Sequence, residues 1–103
     1  MARRLGWSPE AIEDIEAIAS YIARDSQWYA KAVAQKIVET AESIPAFAEL
    51  GRIVPEIGNP AIRERFVYSY RVIYRIDAEQ ILIAAVIHGS RLLDPVLQRI
   101  KGE

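Results

Sequence analysis

The stretch from Ile62 to Arg91, IRERFVYSYRVIYRIDAEQILIAAVIHGSR, decides how this chain folds. Ile62–Tyr68 is rich in β-branched and aromatic residues, which suit a pleated surface. Tyr70–Ile76 alternates, with Tyr70, Val72, Tyr74 and Ile76 on one face and Arg71, Ile73 and Arg75 on the other. Only Ser69 and its neighbours separate these two runs, which predicts a tight hairpin. After the turn Asp77-Ala78-Glu79, the run Ile81–Ile87 is apolar on both faces, the pattern of a central strand covered from both sides. Gly89 breaks that run. Strands joined by turns this short are antiparallel neighbours.

Working outward, the residues upstream read as helix made to cover a sheet. Arg3–Trp7 suits one short strand. Ser8-Pro9-Glu10 is a helix start: a capping serine, a proline where its missing N–H is unneeded, and an acid at the positive end of the dipole. Ile12, Ile15, Ile18, Ala19 and Ile22 then form an apolar stripe on a helix from Pro9 to Arg24, and the acids of Glu10–Glu16 read as its solvated face. Ser26 caps a second helix, with a buried stripe at Val33, Ile37, Ala41 and Ile44, and Pro45 ends it. Trp28 is expected to close the end of the core and Tyr29 to stand exposed. So short a link makes the helices an antiparallel hairpin.

Residues 46–60, punctuated by Gly51, Pro55, Gly58 and Pro60, read as an irregular loop. Downstream, Leu93, Val96, Leu97 and Ile100 fall on one face of a short last helix over Leu93–Ile100. The expected architecture is α+β. An antiparallel sheet of three to four strands carries the N-terminal helical hairpin on one face, with a short C-terminal helix, in a single domain over residues 1–103.

Composition narrows the function. The 103 residues suit one domain, with half of them apolar. There is no cysteine and one histidine, so neither a disulfide framework nor a zinc site is expected, and no cofactor is implied. MARRLGW lacks the apolar run of a signal peptide, and Ile81–Ile87 is too short to span a bilayer. A soluble, cytoplasmic protein is expected, with no membrane partner. The net charge of −1 lacks the cationic excess of proteins that live on phosphate contacts, so nucleic-acid binding would rest on a local patch.

In this order of elements the chain resembles the RelE/ParE superfamily, the toxins of bacterial type II toxin–antitoxin systems. The resemblance is carried by WSPEAIEDIEAIASYIA at 7–23, GRIVPE at Gly51–Glu56, SYRVIYRID at Ser69–Asp77 and ILIAAVIHGSRLL at Ile81–Leu93, and it covers nearly the whole chain. It implies a toxin of the plasmid-stabilisation type that arrests growth and is neutralised by an antitoxin whose C-terminal segment wraps around it. Two activities are implied by the superfamily. RelE-like members are ribosome-dependent mRNA endonucleases, in which basic side chains stabilise the phosphorane and an acid–base group moves the proton. That branch typically has lysines ahead of the central hairpin, an arginine within it, another after the last strand, and a C-terminal tyrosine or histidine. Here Arg91 matches the arginine after the last strand. The hairpin arginine falls near Phe66 or, with a slip of one, at the adjacent Arg65. No lysine lies between Lys36 and Lys101, and LLDPVLQRIKGE has neither tyrosine nor histidine. ParE-like members poison DNA gyrase by binding, and their last strand often ends in an apolar run, a histidine and a short helix, the shape of AAVIHGSRLLDPVLQRI. The resemblance therefore favours the ParE branch, with DNA gyrase as the target and no catalysis. The alternatives are an endoribonuclease acting on ribosome and mRNA, and a non-toxic interaction module.

The candidate residues follow. If the chain is a nuclease, His88, Arg91 and Arg65 are the catalytic candidates. If it binds a target, Arg63, Arg65, Arg71, Arg75, His88 and Arg91 are the contact candidates. Each has a plainer reading. His88 can be a strand-end residue bonding backbone around Gly89. Arg91 can pair with an acid of the first helix. Arg71 can lie over the sheet and tie down the helical hairpin. The four hairpin arginines form either a concentrated basic patch or a solvated strand face interrupted by Glu64. Tyr68, Tyr70 and Tyr74 can stack on bases or pack across strands. GRIVPE has one glycine and opens no helix, so it is not a phosphate loop.

Overall fold

The computed structural model describes residues 3–90; the expected helix at Leu93–Ile100 and the candidate Arg91 lie outside the described residues. The elements are β1 (Arg4–Trp7), α1 (Pro9–Ala23), α2 (Gln27–Ser43), two short 3-10 turns (Ile44–Ala46 and Ala48–Leu50), β2 (Arg52–Ile53), β3 (Ile62–Val67), β4 (Tyr70–Ile76) and β5 (Gln80–His88). They form an α+β architecture with one sheet in the order β1-β5-β4-β3-β2. The sheet has five strands, more than the three to four expected. The extra one, β2, is two residues long and carries no periodicity to read.

Ser8 organises the N-terminal end. Its Oγ accepts from the Ala11 amide at 3.0 Å, which caps α1, and its hydroxyl donates to the Ala84 carbonyl at 3.2 Å. Its own amide donates to the Ile83 carbonyl at 3.0 Å. One residue thus ends β1, starts α1 and fastens both to β5. Ser26 caps α2 through the Tyr29 amide at 3.0 Å. β1 runs parallel to β5, whereas β5, β4, β3 and β2 are antiparallel in succession.

The helical hairpin packs on one face of the sheet. Ala11, Val33, Ile37, Ala41 and Ile44 meet Val72, Tyr74, Ile81, Ile83 and Val86 there. The stripe of α1 is centred on Ala11, Ile15, Ile18 and Ile22, and Ile12 stands half-exposed beside it. Trp28 does not close the core. It is 79% exposed, because it lies two residues, about 200° of helix rotation, from the buried Ala30. Asp14 is not simply part of a solvated face: its carboxylate accepts from the Val86 amide at 2.9 Å, on the stretch of β5 beyond the end of β1.

Both faces of β5 are covered, as its composition predicts, and β1 and β4 flank it. A bulge sets which residue faces which side. Ile73 lies opposite Ala85 but Tyr74 lies opposite Ile83, so Ala84 is an extra residue. The alternation of β5 breaks there. Ala84, Ala85 and Ile87 join Val54, Ile62 and Ile73 in a second, smaller core on the face away from the helices. The segment after β2 closes over that face, anchored by the buried Val54 and turned at Gly58, whose φ of +73° suits glycine.

Candidate functional site

Register sorts the charged residues of the central hairpin. Residues directly opposite one another share a face. Arg63 faces Tyr74 and Arg65 faces Val72, whereas Arg71 faces Phe66 and Arg75 faces Ile62. Arg63 and Arg65 therefore lie on the helix side and Arg71 and Arg75 on the other, so the four arginines do not form one basic patch. Sequence spacing correctly paired 63 with 65 and 71 with 75. It could not say that the hairpin register would put the two pairs on opposite faces.

The face away from the helices carries a chain of four charges instead. Glu64 is fully buried. Its Oε2 accepts from Arg52 Nε at 2.8 Å and from the terminal nitrogen of the same guanidinium, and its Oε1 accepts from Arg71 Nε at 2.6 Å. Arg71, 4% exposed, then makes a two-pronged pair with Glu56, both contacts at 2.9 Å. Two cations and two anions cancel. The hydrogen bond from Arg71 holds the Glu56 carboxyl below the usual carboxylate range, against a smaller opposing effect of burial. The same bond raises Arg71 further above its ordinary value. Arg71 thus ties down the segment after β2, not the helical hairpin, because its side chain leaves the sheet on the opposite face.

The remaining candidates separate. Arg63 is spent on backbone: Nε donates to the Pro60 carbonyl at 2.8 Å, and one terminal nitrogen donates to the carbonyls of Glu49 and Gly51. Arg75 makes a two-pronged pair with Asp77, whose carboxyl it pulls below its ordinary range. Arg65 is half-buried and makes no hydrogen bond or ion pair within the described residues. His88 ends β5, exposed, with its ring edge-on to Tyr70 at 5.5 Å. Its Nδ1 accepts from the Ser90 amide at 3.2 Å. The Ser90 hydroxyl oxygen lies 2.8 Å from the same ring nitrogen. His88, Tyr70, Tyr21 and Asp14 line a shallow cleft between α1 and the end of β5. A second shallow groove, mainly apolar, runs over the outside of the helical hairpin, lined by Trp7, Ile12, Ile15 and Val38.

The spacing of Arg52, Glu56 and Glu64 in the sequence does not predict that they share one ion-pair chain, and Glu64 lies buried instead of on a solvated strand face. A signal for Glu64 was present: Ile62, Glu64 and Phe66 alternate on one face, and a charge between two large apolar residues is a charge that needs a buried partner. Gly51 has a reason of its own. A Cβ there would stand 2.9 Å from both the Glu64 carbonyl oxygen and Tyr74 Cζ and would overlap the Tyr74 hydroxyl. That hydroxyl donates to the Ala48 carbonyl at 2.6 Å, deep in the core, and burial raises its pKa. The motif GRIVPE thus supplies a gap for Tyr74, an arginine for Glu64, an anchor in Val54 and a glutamate for Arg71. Among the described residues no helix is long and apolar enough to cross a membrane.

A small helical hairpin packed on a five-stranded sheet is a fold seen in solved toxin–antitoxin proteins. The chromosomal ParDE system of P. aeruginosa contains a chain that superimposes with a TM-score of 0.71 at 22% identity, over 84% of this chain and 96% of that one. The YoeB dimer of Staphylococcus aureus matches with a TM-score of 0.59 at 22% identity, over 85% and 98% of the two chains. The YoeB–YefM complex of the same organism matches with a TM-score of 0.55 at the same identity and coverage. At such identities the likeness speaks to fold alone. The family is decided by sequence: residues 5–93 match the ParE toxin of type II toxin–antitoxin system, parDE, and the chain belongs to that family. No curated protein matches it.

Proposed function

We propose that this protein is a ParE-like toxin that arrests growth by binding DNA gyrase, without catalysis, and is held inactive by a cognate antitoxin. The observation that carries this reading is the neutralised sheet face. Phosphoryl transfer to a 2′-hydroxyl needs cations free to meet charge that develops in the transition state. Here Arg52 and Arg71 are already committed to Glu64 and Glu56. The apolar groove over Ile12, Ile15 and Val38 is suited to an antitoxin segment, and the antitoxin complexes among the structural relatives support such a partner.

The test is inducible expression in a bacterial host, with RNA integrity and a DNA-damage reporter followed together. The expected result is growth arrest with damage induction and intact transcripts, and purified toxin should inhibit gyrase supercoiling until antitoxin is added. Cleaved mRNA during arrest, or unaffected supercoiling by folded toxin, would overturn the reading.

A further inference from the structure

We propose that Tyr68 and Phe66, at the tip of the β3–β4 hairpin, form the surface by which the protein engages an uncharged, apolar pocket on its target protein. The inference deepens the binding reading above and rests on it. It starts from a conformational anomaly. Tyr68 has φ of +52°, and it is the only described residue other than glycine in the left-handed region. A two-residue hairpin turn normally fills such a position with glycine, asparagine or aspartate. A bulky L-residue there is strained by contact between its Cβ and the backbone. An aromatic ring repays that strain if it is buried, but Tyr68 is 61% exposed and makes no hydrogen bond or ring contact within the described residues. Its presence is not explained by the fold.

The neighbourhood is built as a rigid platform. The Gly89 amide donates to the Ser69 carbonyl at 2.7 Å and locks the turn to the end of β5. A Cβ at Gly89 would meet that carbonyl oxygen at 3.1 Å and the Phe66 ring at 3.9 Å, so the two backbones and the ring lie close together. Phe66 is itself 53% exposed, with the Arg52 guanidinium over its ring at 5.3 Å from the centroid. Two exposed rings on a turn that does not need ordering lose little entropy on binding, and aromatic anchors in desolvated pockets dominate protein interfaces. The charge around them decides the partner. On the Phe66 face, Arg52 and Arg71 are balanced by Glu64 and Glu56, and Arg65 points to the opposite face. A phosphate backbone asks for unpaired cations. A neutral, aromatic tip asks for an apolar protein pocket.

The experiment compares the wild-type toxin with Tyr68→Asn, Tyr68→Gly and Tyr68→Phe, reading melting temperature, antitoxin binding, binding to purified DNA gyrase with inhibition of its supercoiling, and growth arrest. For Tyr68→Asn the melting temperature should equal the wild-type value or exceed it by up to about 4–8 °C, since the strain is relieved. The antitoxin complex should persist, and affinity for the target should fall roughly 30-fold or more, with arrest lost. Tyr68→Gly should lose arrest likewise, and Tyr68→Phe should keep it. Full arrest by Tyr68→Asn and Tyr68→Gly, or a lowered melting temperature in Tyr68→Asn, would overturn the inference. So would loss of arrest in Tyr68→Phe, wild-type protein that never arrests growth, or salt-sensitive DNA or RNA binding that Tyr68→Asn abolishes. If the wild type arrests growth without inhibiting supercoiling, gyrase is the wrong target, while the Tyr68 variants still report whether the tip serves the true one.

Discussion

Replacing Glu64 with glutamine tests the central claim about the sheet face. The carboxylate serves two cations at once, Arg52 through Oε2 and Arg71 through Oε1. An amide has one acceptor oxygen, so its NH2 group must face one guanidinium, donor against donor. Arg52 is largely exposed and can turn into water, whereas Arg71 cannot. The amide oxygen will therefore stay with Arg71 and Arg52 will be released. Removing one member of a buried ion pair typically costs about 3–5 kcal/mol. Arg71 keeps its two contacts to Glu56 and one neutral bond, so the expected loss is about 2–3 kcal/mol, or roughly 10–20 °C in melting temperature for a chain of this size. The companion variant is the double substitution Glu64→Leu with Arg71→Met. It removes both buried charges, and the half-exposed Glu56 and Arg52 can rehydrate. It should fall within about 1 kcal/mol of the wild type. Denaturant unfolding of Glu64→Leu, Arg71→Met and the double variant gives the cycle directly. A loss below about 1 kcal/mol in Glu64→Gln, or a double variant as unstable as the sum of the singles, would refute the account.

Gly51→Ala should cost about 1–3 kcal/mol through overpacking against the Tyr74 hydroxyl and the Glu64 carbonyl, and its denaturation midpoint should partly recover when Tyr74→Phe is added. The φ of Gly51 is −68°, so the loss would come from the close approach and not from the backbone. Ser8→Ala should lower stability by about 1–2 kcal/mol, with faster hydrogen exchange at the Ala11 amide, since it removes a helix cap. Glu56 and Asp77 both have depressed carboxyl pKa values in the fold, each through an arginine hydrogen bond. Their contribution is complete above the unfolded carboxylate range and is lost as pH falls through the lower folded values. A melting-temperature profile should be flat from neutrality to about pH 5 and fall below it, and Glu56→Gln should make that acid limb shallower.

The helices and the three long strands were legible because periodicity declares them. The apolar stripe of α2, the capping serines and the alternation of Tyr70–Ile76 each follow from residues a few positions apart. What the sequence hid depends on residues that meet only through the fold. β2 is two residues long. The bulge at Ala84 is invisible in an all-apolar run, where a shift from one face to the other changes no residue class. The placement of the arginines turned on register, and a shared strand face cannot reveal which face its partner strand will present. Trp28 stands outside the core because its angle on α2, and not its size, decides which side it faces. The family itself was legible, because it is written in the order of several motifs. GRIVPE, one of those motifs, draws its meaning from Glu64 and Arg71, eight and more residues away.

The ion-pair chain also fixes where the hairpin tip falls. β3 has a full-length neighbour only on the β4 side, and on its other side only the two residues of β2. Its register therefore depends on which side chains it buries. A slip of one residue would carry Glu64 to the helix side, among Val72, Tyr74 and the aliphatic residues of α2, and would turn Arg63 and Arg65 toward the space that Ile62 and Glu64 fill. A carboxylate cannot be paid for there, because the cations that satisfy it stay on the other face. The buried glutamate thus selects the register that sets Phe66 beside Gly89 and leaves Tyr68 at the turn. The same choice decides the chemistry. A variant that gave up Glu64 to free Arg71 and Arg52 for a phosphate would loosen the very register that positions them, so in this chain the cationic face and the ordered hairpin cannot both be had by a single substitution.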